Sequence, residues 1–421
     1  MGSGTLPPGK LGWPWLGESI GFLKDSFGFF EARFRRYGHV FKTRVLGRNV
    51  VCLVGPEAVD MVNREPRLER AGGTPRFLER LFGAQALPFI SGDLHARRRD
   101  FVLRAFTPDA VAGYGAPVRQ VLERHLPRWV AAGEVKAVDA LDAASMEIAN
   151  ALFFDADPTT DHTGFVDTVN CFNHGFGALP LALPFLRYGK ALKARDQLRA
   201  HAAARIAEHE PGTGASILAH LVDARDLADD ASKQALAVEL LHAFIVAQGA
   251  LRAGLVSVTR ALGRSPEVMA RAREAARDGD RGVLDQVTRE VRRYHKIIPL
   301  TGLSIATEEL EWRGFRIPAG WHVTAILHST MWDEEVFPHP DTLDPSRFAD
   351  GCPAGYVAHG AGPREGHRCV GEPLADLVLA TFLQVVLPAH TWEIPPQDLS
   401  DKSGGFAPMP SDGLRTRFVA S

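Results

Sequence analysis

Cys369 closes a glycine-rich loop, His359-Gly360-Ala361-Gly362-Pro363-Arg364-Glu365-Gly366-His367-Arg368-Cys369-Val370-Gly371-Glu372. An apolar run follows at helical spacing: Leu374, Ala375, Leu377, Val378, Leu379 and Phe382. A helix starting there aims its free N–H groups and the positive end of its dipole at the sulfur, which favours a thiolate. Arg364 and Arg368 add positive charge, and Gly362, Gly366 and Gly371 let the backbone come close to a bound group. A thiolate held this way can serve as a metal ligand. A free cysteine taken alone is more often a small buried core residue. Other residues upstream shift that balance. Glu290-Val291-Arg292-Arg293 places an acid and a base on one helical face, and His95 and Arg99 lie one helical turn apart. Taken singly, the His95/Arg99 pair reads better as an exposed basic face, and the Glu290/Arg293 pair is weak evidence because such pairs also occur on solvated surfaces.

Elements must bring these groups together. Hydrophobic periodicity predicts helices over 18–37, 56–64, 75–83, 94–105, 108–132, 139–154, 162–177, 188–208, 213–224 and 233–263. Further helices are predicted over 266–276, 281–296 and 370–388. Short strands are expected over 40–45 and 50–54, joined by Gly47-Arg48-Asn49, with others between 303 and 328. The expected fold is therefore mainly α with a small β region.

The order of these landmarks resembles the cytochrome P450 superfamily. The resemblance implies a cytochrome P450 fold in a single domain over residues 1–421. It also implies haem b (iron protoporphyrin IX), with Cys369 as the iron ligand. His95 and Arg99 are then expected at the haem propionates, with Arg368, Arg364 and His367 as further contacts. Glu290, Arg293 and Arg347, the last in Pro345-Ser346-Arg347-Phe348, resemble the superfamily's buried Glu-Arg-Arg cluster, a folding element. The cysteine loop departs from the commonest pattern, because Gly362 stands where Phe is usual and the loop is expanded. Its Gly-His-Arg-Cys-x-Gly-Glu segment is similar to the bacterial fatty-acid peroxygenase branch. Leu81-Phe82-Gly83, Val238-Glu239-Leu240-Leu241 and Met409-Pro410-Ser411-Asp412-Gly413 point the same way.

The long helix carries the informative departure. Its centre reads His242-Ala243-Phe244-Ile245-Val246-Ala247-Gln248-Gly249-Ala250-Leu251-Arg252. It has no acid–alcohol pair of the kind that P450 monooxygenases use to deliver protons. The peroxygenase branch has an Arg-Pro there instead, whose arginine holds a substrate carboxylate. The matching positions here, Ile245-Val246 or Val246-Ala247, carry no arginine. Three residues are candidates for the distal chemistry. Gln248 offers an amide to a distal ligand or serves as a core amide. Arg252 is a substrate contact or a surface charge. Phe89, in Pro88-Phe89-Ile90, forms part of an apolar roof or of the core.

Composition narrows the partners. A net charge of −2, with Arg97-Arg98-Arg99 the longest basic stretch, argues against nucleic acid. Four scattered cysteines fit neither a disulfide framework nor a zinc site. No membrane anchor is read from the sequence, and a cytoplasmic, bacterial-type enzyme is expected. The function expected is oxidation of a small apolar substrate with hydrogen peroxide, and the need for a redox partner is left open. The competing function is isomerisation, dehydration or cyclisation at an O–O or N–O bond in the substrate, without O₂ or reductant. An electron-transfer-dependent monooxygenase and a haem-binding sensor are the remaining possibilities.

Overall fold

The computed structural model describes residues 4–157, 160, 162–223, 230–402 and 407–420. The expected long helix runs Asp230–Gly263 and forms the axis of the molecule. It packs on Ala137–Phe154, Arg187–Glu208 and Glu372–Val386. Its buried residues include Leu240, Leu241, Phe244, Leu255 and Val258, joining one large apolar cluster with Phe153, Phe154, Leu379 and Phe382. At Gly254 the helix meets Glu372–Val386 so closely that an added Cβ would lie 3.1 Å from Leu379 Cδ2. A side chain at 254 would press on Leu379, and the glycine leaves that contact relaxed.

The β region is small, as expected. A five-stranded sheet has the order Val40–Val45, Arg48–Leu53, His322–Ala325, Ser304–Ala306, Leu68–Glu69. Only the Arg48–Leu53/His322–Ala325 pair is parallel. The first hairpin turns at Leu46-Gly47, not at Gly47-Arg48-Asn49. Both turn residues have positive φ, 53° and 75°, the twist that suits a two-residue hairpin. Asn49 is thereby placed in the strand, opposite Arg44, whose Nε donates to its Oδ1 at 2.8 Å. A second sheet joins Glu134–Lys136, Arg415–Ala420 and His390–Glu393.

Several expected helices are shorter or divided. The 18–37 helix breaks at Asp25, which is extended and caps Ser26–Tyr37 by accepting from the Gly28 N–H at 3.0 Å. The 108–132 helix divides at Tyr114, whose hydroxyl donates to the Ala105 carbonyl at 2.7 Å. The helix after the cysteine starts at Glu372 with Pro373 in its first turn, a position where the missing N–H costs nothing.

The helix Arg281–Tyr294 carries the buried ion cluster. Glu290 and Arg293 are both fully buried, and Arg293 Nε donates to Glu290 Oε2 at 2.7 Å. Arg347 completes the cluster, its Nε 3.5 Å from Glu290 Oε1. Arg293 also donates to the carbonyls of Met331 and Pro340, at 3.1 and 2.9 Å. The cluster therefore ties this helix to the 331–347 segment that precedes the cysteine loop.

Candidate active site

The loop before Cys369 folds back on itself. The Cys369 N–H donates to the His359 carbonyl at 2.9 Å, and Gly360 and Gly362 take positive φ of 80° and 91°. Cys369 lies deep in the molecule, yet its side chain opens onto a cavity of about 290 Å³. Burial raises the thiol pKa, while the backbone N–H groups of Gly371 and Glu372 and the charge of Arg99 oppose that rise. These are donors that favour a sulfur anion, as expected at the start of the helix.

A second network supports the loop from beneath. Arg292 Nη1 donates to His359 Nε2 at 2.7 Å, and its Nη2 reaches Asp376. Burial holds His359 at about 3, so its ring is neutral and accepts at Nε2. Sequence reasoning assigned no role to Arg292, and its position beside Arg293 gave no signal to separate the two.

Basic side chains gather on one flank of the cavity. His95, Arg99, His367 and Arg368 all line it, as expected from the sequence. Arg70, which the sequence reading missed, joins them. Arg99 donates through Nε to the Arg364 carbonyl at 2.7 Å and through Nη2 to the Arg368 carbonyl, clamping the loop. Arg70 donates to Asn63 Oδ1 at 2.8 Å and to the Gly302 carbonyl, while Asn63 donates to the Ala361 carbonyl at 2.8 Å. The His95 and His367 rings lie 4.1 Å apart. Burial lowers Arg70 and Arg99 to about 10, His95 to about 4 and His367 to about 3. Among the described residues, none of these four forms an ion pair with a carboxylate.

Buried basic groups without a counter-ion suit an anionic ligand. Much of the remaining wall is apolar. It includes Leu87, Pro88, Val102, Phe106, Phe153, Ile217, Leu221, Val370 and Leu374. A thiolate-favouring cysteine, basic groups on one flank and apolar faces between them fit haem, a flat apolar macrocycle with two carboxylates. Cys369 would hold its iron, and Arg70, His95, Arg99 and His367 would meet its propionates.

Four expected site residues lie elsewhere. Gln248 is buried away from the cavity, with Nε2 donating to Asp142 Oδ1 at 2.9 Å and Ser145 Oγ at 3.3 Å. Arg252 shares that partner, with Nη1 3.3 Å from Asp142 Oδ1. The two lie on one face of the long helix, turned toward Ala137–Phe154. The cavity face instead carries Glu239, His242, Ala243, Val246, Ala247, Ala250, Leu251 and Gly254. Phe89 sits behind the wall, its ring 6.2 Å from Phe82 and 6.3 Å from His242, while Leu87 and Pro88 form the surface. Arg364 donates to the Phe106 carbonyl at 3.0 Å and does not face the cavity. Glu239 and His242 were missed because acidic and imidazole groups in an apolar helix carry no mark of which face they occupy.

The family described as Cytochrome P450 matches residues 7–413 of this chain. The solved structure of retinoic acid-bound cyanobacterial CYP120A1 superposes with a TM-score of 0.90 at 27% identity, covering 100% of both chains. Cytochrome P450EX alpha (CYP152N1) with myristic acid gives a TM-score of 0.82 at 22% identity, covering 99% and 100%. Among curated proteins, abscisic acid 8'-hydroxylase 4 of Arabidopsis thaliana is 26% identical over 440 residues, 99% of this chain and 92% of that protein. The putative cytochrome P450 120 of Synechocystis is 27% identical over 441 residues, 99% and 98%. With its cysteine loop, basic flank and buried Glu290–Arg293 pair in place, this chain belongs to the cytochrome P450 family and is a haem-thiolate oxidoreductase.

Proposed function

We propose that the protein, as a single domain over residues 1–421, oxidises an elongated, mainly apolar small molecule with hydrogen peroxide. One observation carries this reading. The cavity face of the long helix, from Ala243 through Val246, Ala247, Ala250 and Leu251 to Gly254, holds no acid and no alcohol. Reductive use of O₂ needs electrons from a partner and protons delivered in the cavity. Hydrogen peroxide brings oxygen already reduced, together with its own protons, so it needs neither electron donor nor reductase, and the one proton to be moved between its oxygens can be carried by an acid from outside the wall.

Haem b supplies the iron and oxygen chemistry when bound, tuned by its thiolate ligand. Cys369 gives that thiolate, with the Gly371 and Glu372 N–H groups stabilising its charge. Arg70, His95, Arg99 and His367 hold the propionates, and Arg292 with His359 keeps the cysteine loop in position. Leu87, Pro88, Phe153, Ile217 and Leu221 exclude water and grip an apolar body. Gln248 and Arg252 have structural roles on the Asp142 side, and Phe89 backs the wall. The ligands named for similar proteins, retinoic acid and myristic acid, are elongated and largely apolar, which supports the same substrate shape here.

The bare helix face equally suits a substrate that carries its own O–O or N–O bond, the second reading. One experiment separates them. The haem-loaded ferric protein is given an apolar probe, first with peroxide and no reductant, then with a reductase system and O₂. Oxidised product with peroxide alone is expected. Product only with the reductase, or none in either arm with haem intact, overturns the peroxide reading.

A further inference from the structure

Away from Cys369, the cavity face of the long helix carries two polar residues, Glu239 and His242. Glu239 is engaged: Oε1 accepts from Arg98 Nη1 at 3.0 Å, and Oε2 accepts from the Leu87 N–H at 3.2 Å. Its charge is thereby balanced by Arg98. His242 differs. Its ring is held edge-on by Phe82, 5.2 Å away, and by Phe89. It makes no hydrogen bond among the described residues, yet it faces the cavity. Burial lowers it to about 4, so the ring is neutral.

We propose that His242 anchors the polar end of the substrate, and that this end is a neutral hydroxyl group. The inference takes from the proposed function only that the cavity is the substrate chamber. A neutral imidazole offers one N–H and one lone pair, which a hydroxyl complements as acceptor and donor together. An ionised carboxylate can use only the N–H and would leave its charge without a cation, because Arg98 is already paired with Glu239. His242 lies eight residues before Ala250, about 12 Å along the helix, so a substrate anchored at His242 can run along the helix face that lines the same cavity as Cys369. His242 is thus a specificity-determining residue, and Phe82 and Phe89 are its positioning residues.

Calorimetric binding to the haem-loaded ferric protein, without peroxide, tests this independently of turnover. The probes are decanol, chlorodecane and decanoate, with wild type, His242→Phe and His242→Gln. His242→Phe is expected to weaken decanol about five- to tenfold, the size of one neutral hydrogen bond, and to leave chlorodecane within about twofold. His242→Gln, which still donates and accepts, is expected to retain most of the decanol affinity. Haem content reports whether each variant is folded. Equal losses for decanol and chlorodecane, or no loss for either, would overturn the anchor. Decanoate binding more tightly than decanol to wild type would overturn the neutral head group. A protein that binds as expected but fails to turn over with peroxide would contradict the proposed function and leave the anchor standing.

Discussion

At the residue scale, the site rests on charge placed where water is scarce. Replacing Cys369 by Ala removes the thiolate and leaves the loop hydrogen bond from its backbone N–H intact. The reduced protein with carbon monoxide should then lose its thiolate-type absorption while remaining folded by circular dichroism; an unchanged spectrum would deny Cys369 its role. Buried histidines make a second statement. Burial lowers His295 and His328 to about 3 from an ordinary 6.5, with help from Arg260 for the first and Lys296 for the second. The unfolded chain takes up these protons near pH 6.5, so below that pH unfolding binds protons. Stability should therefore fall as pH drops from about 6.5 toward 3, by on the order of 1 kcal/mol per unit for each histidine. Urea titrations should show a shallower fall for His328→Phe than for wild type. Much of the residue pattern was legible: Cys369, His95, Arg99, His367 and Arg368 share the cavity as their motifs implied. Gln248 and Arg252 did not, because a polar residue in an apolar helix can face a neighbouring helix as readily as a cavity. Asp142, the residue that draws both, stands more than a hundred positions away.

At the scale of elements, the long helix separates two environments. One face is tied to Ala137–Phe154 through Asp142, and the other presents Glu239 and His242 and then, from Ala243 to Gly254, apolar residues to the cavity. Its extent was readable from hydrophobic periodicity, but its rotation was not, since that depends on which helices pack against it. The breaks at Asp25 and Tyr114 were hidden for a similar reason: periodicity continues across a residue whose cap or hydroxyl bond divides the helix. Among the described residues, Ala231–Gly263 is the one stretch long and apolar enough to cross a membrane, and it is the packed central helix. Its bare face gives a direct prediction. Ala250→Glu would put a carboxylate on the cavity wall, and a general acid–base group contributes on the order of a hundredfold or more when placed within reach. Peroxide-driven turnover by this variant should rise at least tenfold over wild type, measured as initial rate of probe oxidation. An unchanged rate in a variant with full haem content would mean that the wall does not limit proton transfer.

At the scale of the whole molecule, the Glu290–Arg293–Arg347 cluster joins the helical body to the segment that leads into the cysteine loop. Removing one partner leaves a charge buried alone, which costs about 3–5 kcal/mol. Glu290→Ala should lower stability by that amount in urea unfolding and reduce haem retention on gel filtration, whereas Glu134→Ala, at a half-exposed pair with Arg417, should cost under about 1 kcal/mol. Long-range order of this kind was visible as spacing, because Glu290 and Arg293 share a face, but the carbonyls of Met331 and Pro340 that fix Arg293 carry no sequence mark. Cys369 and the His242 imidazole both line the cavity that results, and the helix face between Ala243 and Gly254 carries no proton donor. The most direct measurement is the peroxide-driven oxidation rate of the ferric wild-type protein on an apolar probe, with and without an added short carboxylic acid. A rate that rises at least tenfold with the acid is the predicted result, because the missing group then arrives from outside. Turnover indifferent to the acid, or oxidation that needs O₂ and a reductase, would contradict the account.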